Sequence, residues 1–233
     1  MSISTEIQRL QNAKENIKNA IEETGVSVGN GLLDTYPDKI NEIFENGKKS
    51  ERVAFWESYQ EGGTKSAYAN AFYRWKDEFY NPLYDIVSND ISNLYSYSTI
   101  TDTKVNITYT GTEIGAPFYM ANRLVKIKNL ILINETKFAA TTFRNAIALK
   151  DIVLSGEGKI ATSTTLQYSQ YLSKESIKSI INALSSSITA EQTLTLYKNA
   201  VVNAFGSDYA TPGTEWMELI TPKTEVGWKI SLI

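Results

Sequence analysis

The feature that most constrains this chain is a register of 25 residues. Residues 118–127 line up with residues 143–152, so that Phe118 and Phe143, Ala121 and Ala146, Leu124 and Leu149, and Ile127 and Ile152 each stand 25 positions apart. Four apolar matches at one period mark a repeated supersecondary unit that buries its face against its neighbours. A period of this size lies in the leucine-rich-repeat range. The phenylalanine and alanine positions are read as a short helical or turn segment. The leucine and isoleucine lead into a strand, and these eight residues form the expected repeat core.

The flanks read as degenerate copies. Val105, Ile107 and Tyr109 alternate with polar residues and predict a strand over 104–110. Ile177, Ile180, Ile181 and Leu184 predict a helix over 176–184. Residues 193–196 predict a strand and 200–205 a helical segment. Trp216, Trp228 and residues 230–233 are expected to close the C-terminal end.

The N-terminus carries a different period. Ile3, Ile7, Leu10, Lys14, Ile17 and Ile21 occupy the a and d positions of roughly three heptads, with Lys14 in the seam. A lone helix of this length is marginal in water. It must bury its stripe on its own domain or on other copies of itself. Self-association is the reading adopted, and these six residues are the expected oligomerisation positions. Gly25, Gly29 and Gly31 then mark a turn or hinge. A second helical pattern follows through Leu32, Leu33, Tyr36, Ile40, Ile43 and Phe44, with Pro37 in its first turn. The polar run 45–50 reads as a linker. Between it and the repeats lies a dense aromatic zone that includes Phe55, Trp56, Tyr59, Phe72 and Trp75. These rings could stack sugars, but a cap over the first repeat is the simpler expectation.

The expected fold is therefore α/β: N-terminal helices forming a short coiled coil, then a leucine-rich-repeat-like right-handed β/α solenoid with an aromatic N-terminal cap. Its expected divisions are a helical attachment segment at 1–50, a capping region at 51–94 and the repeats at 95–233.

Composition decides what chemistry is open. The 233 residues include no histidine and no cysteine. Thiolate nucleophiles, disulfides and Ser-His-Asp catalysis are thereby excluded, and zinc sites built on those ligands with them. The net charge is −3 with no long basic block, which argues against nucleic acid as a partner. No apolar run is long enough for membrane insertion, and the first twenty residues lack the apolar core of a signal peptide. Paired carboxylates occur at Glu22-Glu23, at Asp34 with Asp38 and at Asp77-Glu78, without a pattern that places two in one cleft. Asp102 and Asp151 precede expected strands but lack the acidic spacing of calcium loops. No catalytic, cofactor-binding or metal-ligating residue is assigned, and no cofactor is expected.

Several stretches resemble a known family. The segment from Phe55 and Trp56 through Tyr68, Phe72, Trp75 and Phe79 to Ile86 looks like the aromatic cap that precedes BspA-like leucine-rich repeats. Such proteins occur in phages and prophages of Gram-positive gut bacteria. Residues 172–184, 194–196 and 228–232 resemble the C-terminal part of the same proteins. The pattern Ala20-Ile21, Gly25-Val26, Leu33, Tyr36, Lys39-Ile40 and Ile43 is similar to a segment at the start of phage tail and minor structural proteins.

The resemblance implies a solenoid carried on a virion appendage such as a tail or baseplate, with no catalytic residues. Where such repeats often carry a cysteine or a small polar residue near the helical turn, this chain has Ala121 and Ala146. The expected partners are further copies of the chain (a trimer being one candidate) and other virion proteins, after assembly in the host cytoplasm. The alternative is a receptor-binding protein that recognises a host-surface glycan or protein. Lys126, Lys128 and Asn129 are then candidate contact positions on the solvent side of a strand.

Overall fold

The computed structural model describes residues 3–29, 33–47 and 85–233. The chain divides into two compact units, Met1–Phe55 and Trp56–Ile233.

In the first unit, α1 spans Ile3–Glu22. A 3-10 turn at Leu33–Thr35 leads into a helical stretch, α2, over residues 36–47. Gly25 and Gly29, at φ +85° and +58°, take the chain out of α1 through backbone conformations that other residues rarely adopt. The Glu22 carboxylate accepts the N–H groups of Val28 and Gly29, each at 3.3 Å, and so holds the connection against the end of the helix. A small core forms from Ile21, Val26, Val28 and Tyr36, with Ile43 packed against it.

The second unit is built on parallel strands. Four of them, β1 (Ile86–Ser88), β2 (Asn106–Tyr109), β4 (Lys126–Leu132) and β6 (Asp151–Ser155), pair in that order. A two-stranded sheet joins β3 (Glu113–Ile114) to β5 (Lys137–Phe138). The third sheet runs β7 (Thr164–Leu166), β8 (Gln192–Leu196), β9 (Trp228–Leu232). Among the described residues of this unit, regular helices stand in its last third: α3 (Lys174–Asn182), α4 (Lys198–Phe205) and α5 (Glu215–Thr224). Ser173 caps α3, accepting the N–H of Ser176.

The expected solenoid and coiled coil are both corrected by this arrangement. A leucine-rich-repeat-like solenoid lays one strand per coil into a single continuous sheet. Here the described strands fall into three sheets, and the connections from β2 to β4 and from β4 to β6 are turns and short strands rather than helices. The coiled coil is absent too: α1 is one helix of 20 residues whose seam is open.

Two physical reasons explain the broken sheet. First, the register is not uniform. Ile127 pairs with Ile152 at an offset of 25, but the pairing slips between Ile127 and Leu130, so Leu130 meets Leu154 at 24. Second, among the described residues β6 has no further strand beside it. Its edge is closed by α3, whose Ser176 and Ser179 hydroxyls accept the N–H groups of Ile152 and Leu154 at 2.9 and 2.7 Å. The same hydroxyls donate to the carbonyls of Lys150 and Leu154. Two helix serines thus stand in for a fifth strand.

This substitution is testable. Replacing both, Ser176→Ala with Ser179→Ala, should cost about 2 kcal/mol, near 1 kcal/mol for each lost acceptor beside a buried strand. Hydrogen exchange at the Ile152 and Leu154 amides should quicken in the double variant, while exchange in β8 stays as it was. Unchanged protection at those two amides would rule out the serine role.

The core of the unit is a set of stacked rows. Tyr95, Phe118 and Phe143 form a ring column, with centroids 5.9 and 5.5 Å apart and planes within 14° and 5° of parallel. Ile107, Leu130 and Leu154 share one cross-strand row, and all three are buried. Buried hydroxyls stitch neighbouring turns: Thr142 donates to the carbonyls of Gly115 and Ala139 at 2.9 and 2.8 Å, and Ser169 to that of Ala146 at 3.0 Å. Each satisfies a backbone carbonyl inside the unit, where an orphan acceptor would be costly.

Candidate functional site

Of the expected oligomerisation positions, the structure separates one from the rest. Ile21 is buried in the small core of the first unit. Ile3, Ile7, Leu10 and Ile17 are 83%, 52%, 54% and 44% exposed, and Lys14 is half-buried among them. Spacings of four, three and seven put these four aliphatic side chains on one side of a helix about 30 Å long. Polar pairs flank the stripe. Arg9 makes a forked ion pair with Glu6, three residues back, with contacts at 2.6 to 3.1 Å. This hydrogen-bonded carboxylate raises the Arg9 guanidinium above its ordinary pKa. Gln8 reaches Asn12 at 3.1 Å, one turn on. In α2, Ile40 and Phe44 are also exposed, as is Leu33 just before it. The first unit therefore presents more branched and aromatic surface than its own core absorbs.

All eight expected repeat-core residues lie inside the second unit. Phe118, Ala121, Leu124, Ile127, Phe143, Ala146, Leu149 and Ile152 are buried, none more than 1% exposed. They pack and do not present chemistry. The expected cap residues Phe55, Trp56, Tyr59, Phe72 and Trp75 lie outside the described residues, as does the Asp77-Glu78 pair.

The candidate contact positions on β4 are partly spent on the sheet. Lys126 stands in register with Asp151 on one side and forms a parallel backbone bridge with Asp102 on the other. Lys128 is exposed, and its charge helps to hold the Asp85 carboxyl low. The larger cause there is Asn106, whose backbone and side-chain N–H groups both donate to Asp85, at 2.9 and 2.8 Å. Asn129 accepts from the Ser155 hydroxyl at 2.9 Å.

Several other titratable groups are likewise engaged in structure. Asp102 accepts the N–H of Lys104 at 2.9 Å, an Asx turn that uses the carboxylate locally. Glu215 at the start of α5 meets both Lys174 and Lys178 of α3, and those two ammonium groups hold its carboxyl below the usual range. Burial lowers the pKa of Lys223, whose ammonium donates to the Leu184 carbonyl at 2.6 Å. Among the described residues there is no group of three or more carboxylate, histidine or cysteine side chains placed to hold a metal ion. No described helix is long and apolar enough to cross a membrane.

Comparison with protein-family models, with curated proteins and with solved structures finds no match to this chain. The site must be read from its own geometry. Sequence periodicity found the apolar stripe on α1 but did not show that Ile21 would leave it. The signal was present in Val26, Val28 and Tyr36, apolar residues just past the helix end that fold back on its last turn. The serine pair on α3 was missed as well. Its signal was two hydroxyls at i and i+3 beside an otherwise apolar helix face.

Proposed function

We propose that this chain is a non-enzymatic structural protein of a bacteriophage particle, held in place through the apolar face of α1. The observation that carries the reading is that face: Ile3, Ile7, Leu10 and Ile17 remain largely exposed although each would gain on the order of 1 kcal/mol or more by burial. An apolar row flanked by polar pairs, one of them the Arg9–Glu6 ion pair, is the pattern of an attachment surface. The phage setting draws its support from the likeness of residues 20–43 to the opening segment of phage tail and minor structural proteins. The non-enzymatic part rests on a sequence without histidine or cysteine. In this reading the parallel-strand unit is a stiff body that the first unit anchors, and its contacts with other virion proteins or a host surface are secondary.

The paired substitution Ile7→Glu with Leu10→Glu tests the anchor. Both positions are exposed, so the fold should survive and circular dichroism should match the parent. Two carboxylates in the stripe should reduce recovery of the protein in purified particles at least tenfold, the loss of about 1.4 kcal/mol or more of attachment energy. Recovery at the parental level would remove α1 as the anchor.

A further inference from the structure

The third sheet ends on a strand that is ready to pair again. Among the described residues β9 lies at the end of the order β7, β8, β9, with a partner on one side only. The ladder fixes which backbone groups face outward. Gln192 donates to Gly227, Ile233 donates to Leu196, and Lys198 donates to Ile233, so positions 227, 229, 231 and 233 turn their polar groups to β8. The N–H and C=O groups of Trp228, Ile230 and Leu232 therefore face away from the sheet.

The apolar rows of the sheet also stop at this edge. Thr164, Leu194 and Ile230 are cross-strand neighbours, as are Leu166, Leu196 and Leu232. Leu166, Leu194 and Leu196 are no more than 1% exposed, whereas Ile230 and Leu232 remain half-exposed. The edge is lightly guarded: β9 has no proline, and Lys229 is its one charge.

We propose that β9 pairs with β9 of a second copy of this chain, antiparallel, about a two-fold axis at Ile230. The spacing is self-complementary. Such an axis sets Ile230 against Ile230, and Trp228 against Leu232 in both directions. These are the same three positions whose backbone groups face outward, so each pair exchanges two hydrogen bonds. Lys229 falls opposite Ser231 rather than opposite another lysine, which avoids like-charge repulsion across the pair. The half-exposed Ile230 and Leu232 then continue the buried rows into the partner's sheet. This interface is independent of the α1 stripe.

The chain's lack of cysteine makes the test direct. Opposed Cα atoms in such a hydrogen-bonded pair lie about 5.5 Å apart, within disulfide range. Full-length Ile230→Cys should therefore cross-link under mild oxidation to a species of twice the 26.1 kDa chain mass. Val153→Cys, exposed on β6, should not. By light scattering the parent should be dimeric, and Ile230→Lys monomeric with an unchanged dichroism spectrum. The Ile7→Glu and Leu10→Glu variant should stay dimeric, which separates this contact from α1. A monomeric parent, a dimer that survives Ile230→Lys, or cross-linking no faster at 230 than at 153 would overturn the proposal. If Ile230→Lys fails to fold, the cross-linking comparison decides alone.

Discussion

Phe143→Ala is expected to cost about 3–5 kcal/mol, a large share of what a domain of this size has to lose. Phe143 is 1% exposed and closes the ring column begun by Tyr95 and Phe118, stacked 5.5 Å from Phe118 and tilted against Phe138 at 6.0 Å. Removing the ring takes away its transfer energy and leaves a cavity between two turns. The spacing of those turns is fixed by backbone hydrogen bonds, Phe118 N–H to the Thr142 carbonyl and Met120 N–H to the Arg144 carbonyl, so the space cannot collapse freely. Phe143→Leu keeps much of the volume and should lose substantially less. Equilibrium denaturation of the two variants checks the order. Equal losses would mean that the column is not a structural spine.

Gly156→Ala carries the second large effect. Gly156 follows β6 at φ +97°, and an added Cβ would come within 2.2 Å of the Leu132 carbonyl oxygen. That atom is backbone, at the end of the neighbouring strand β4, and cannot swing aside. Two penalties therefore add: about 1–2 kcal/mol for a left-handed conformation in an L-residue and about 1–3 kcal/mol for overpacking. Gly213 separates them. Its φ is +84°, yet a Cβ there meets nothing within 4 Å. Gly213→Ala should show only the conformational part, so its loss of stability by denaturant melts should be clearly smaller. If the two alanine variants lose the same stability, the close approach to Leu132 has no energetic consequence.

Much of the local structure was legible because it depends on period and little else. Ile107 and Tyr109 alternate inward in β2, Ile177, Ile180 and Ile181 line the inner face of α3, and Ile127 meets Ile152 in register. The global arrangement was not legible, for reasons that lie between elements. A repeat read from two copies assumes that the others keep the same spacing. The slip between Ile127 and Leu130 and the serine closure of β6 end that regularity, and neither leaves a periodic trace. Turns taken by Tyr97, Met120 and Asn145 at φ 57°, 57° and 61° replace the helices expected between strands. Tyrosine and methionine give little warning of such a conformation. At α1 the heptad found a real apolar stripe, but a stripe alone cannot tell a coiled coil from an unpartnered face. The exposure of four of its aliphatic residues and the burial of Ile21 in the local core decide that for the single chain.

The proposed attachment to a particle through the exposed face of α1 is tested by the protein content of purified virions. Particles induced from a strain carrying the gene would be banded on a density gradient and probed for this chain. The chain should band with intact particles, and the Ile7→Glu and Leu10→Glu variant should move to the soluble fraction while remaining folded. A chain that never bands with particles, or a variant that bands as the parent does, would contradict it.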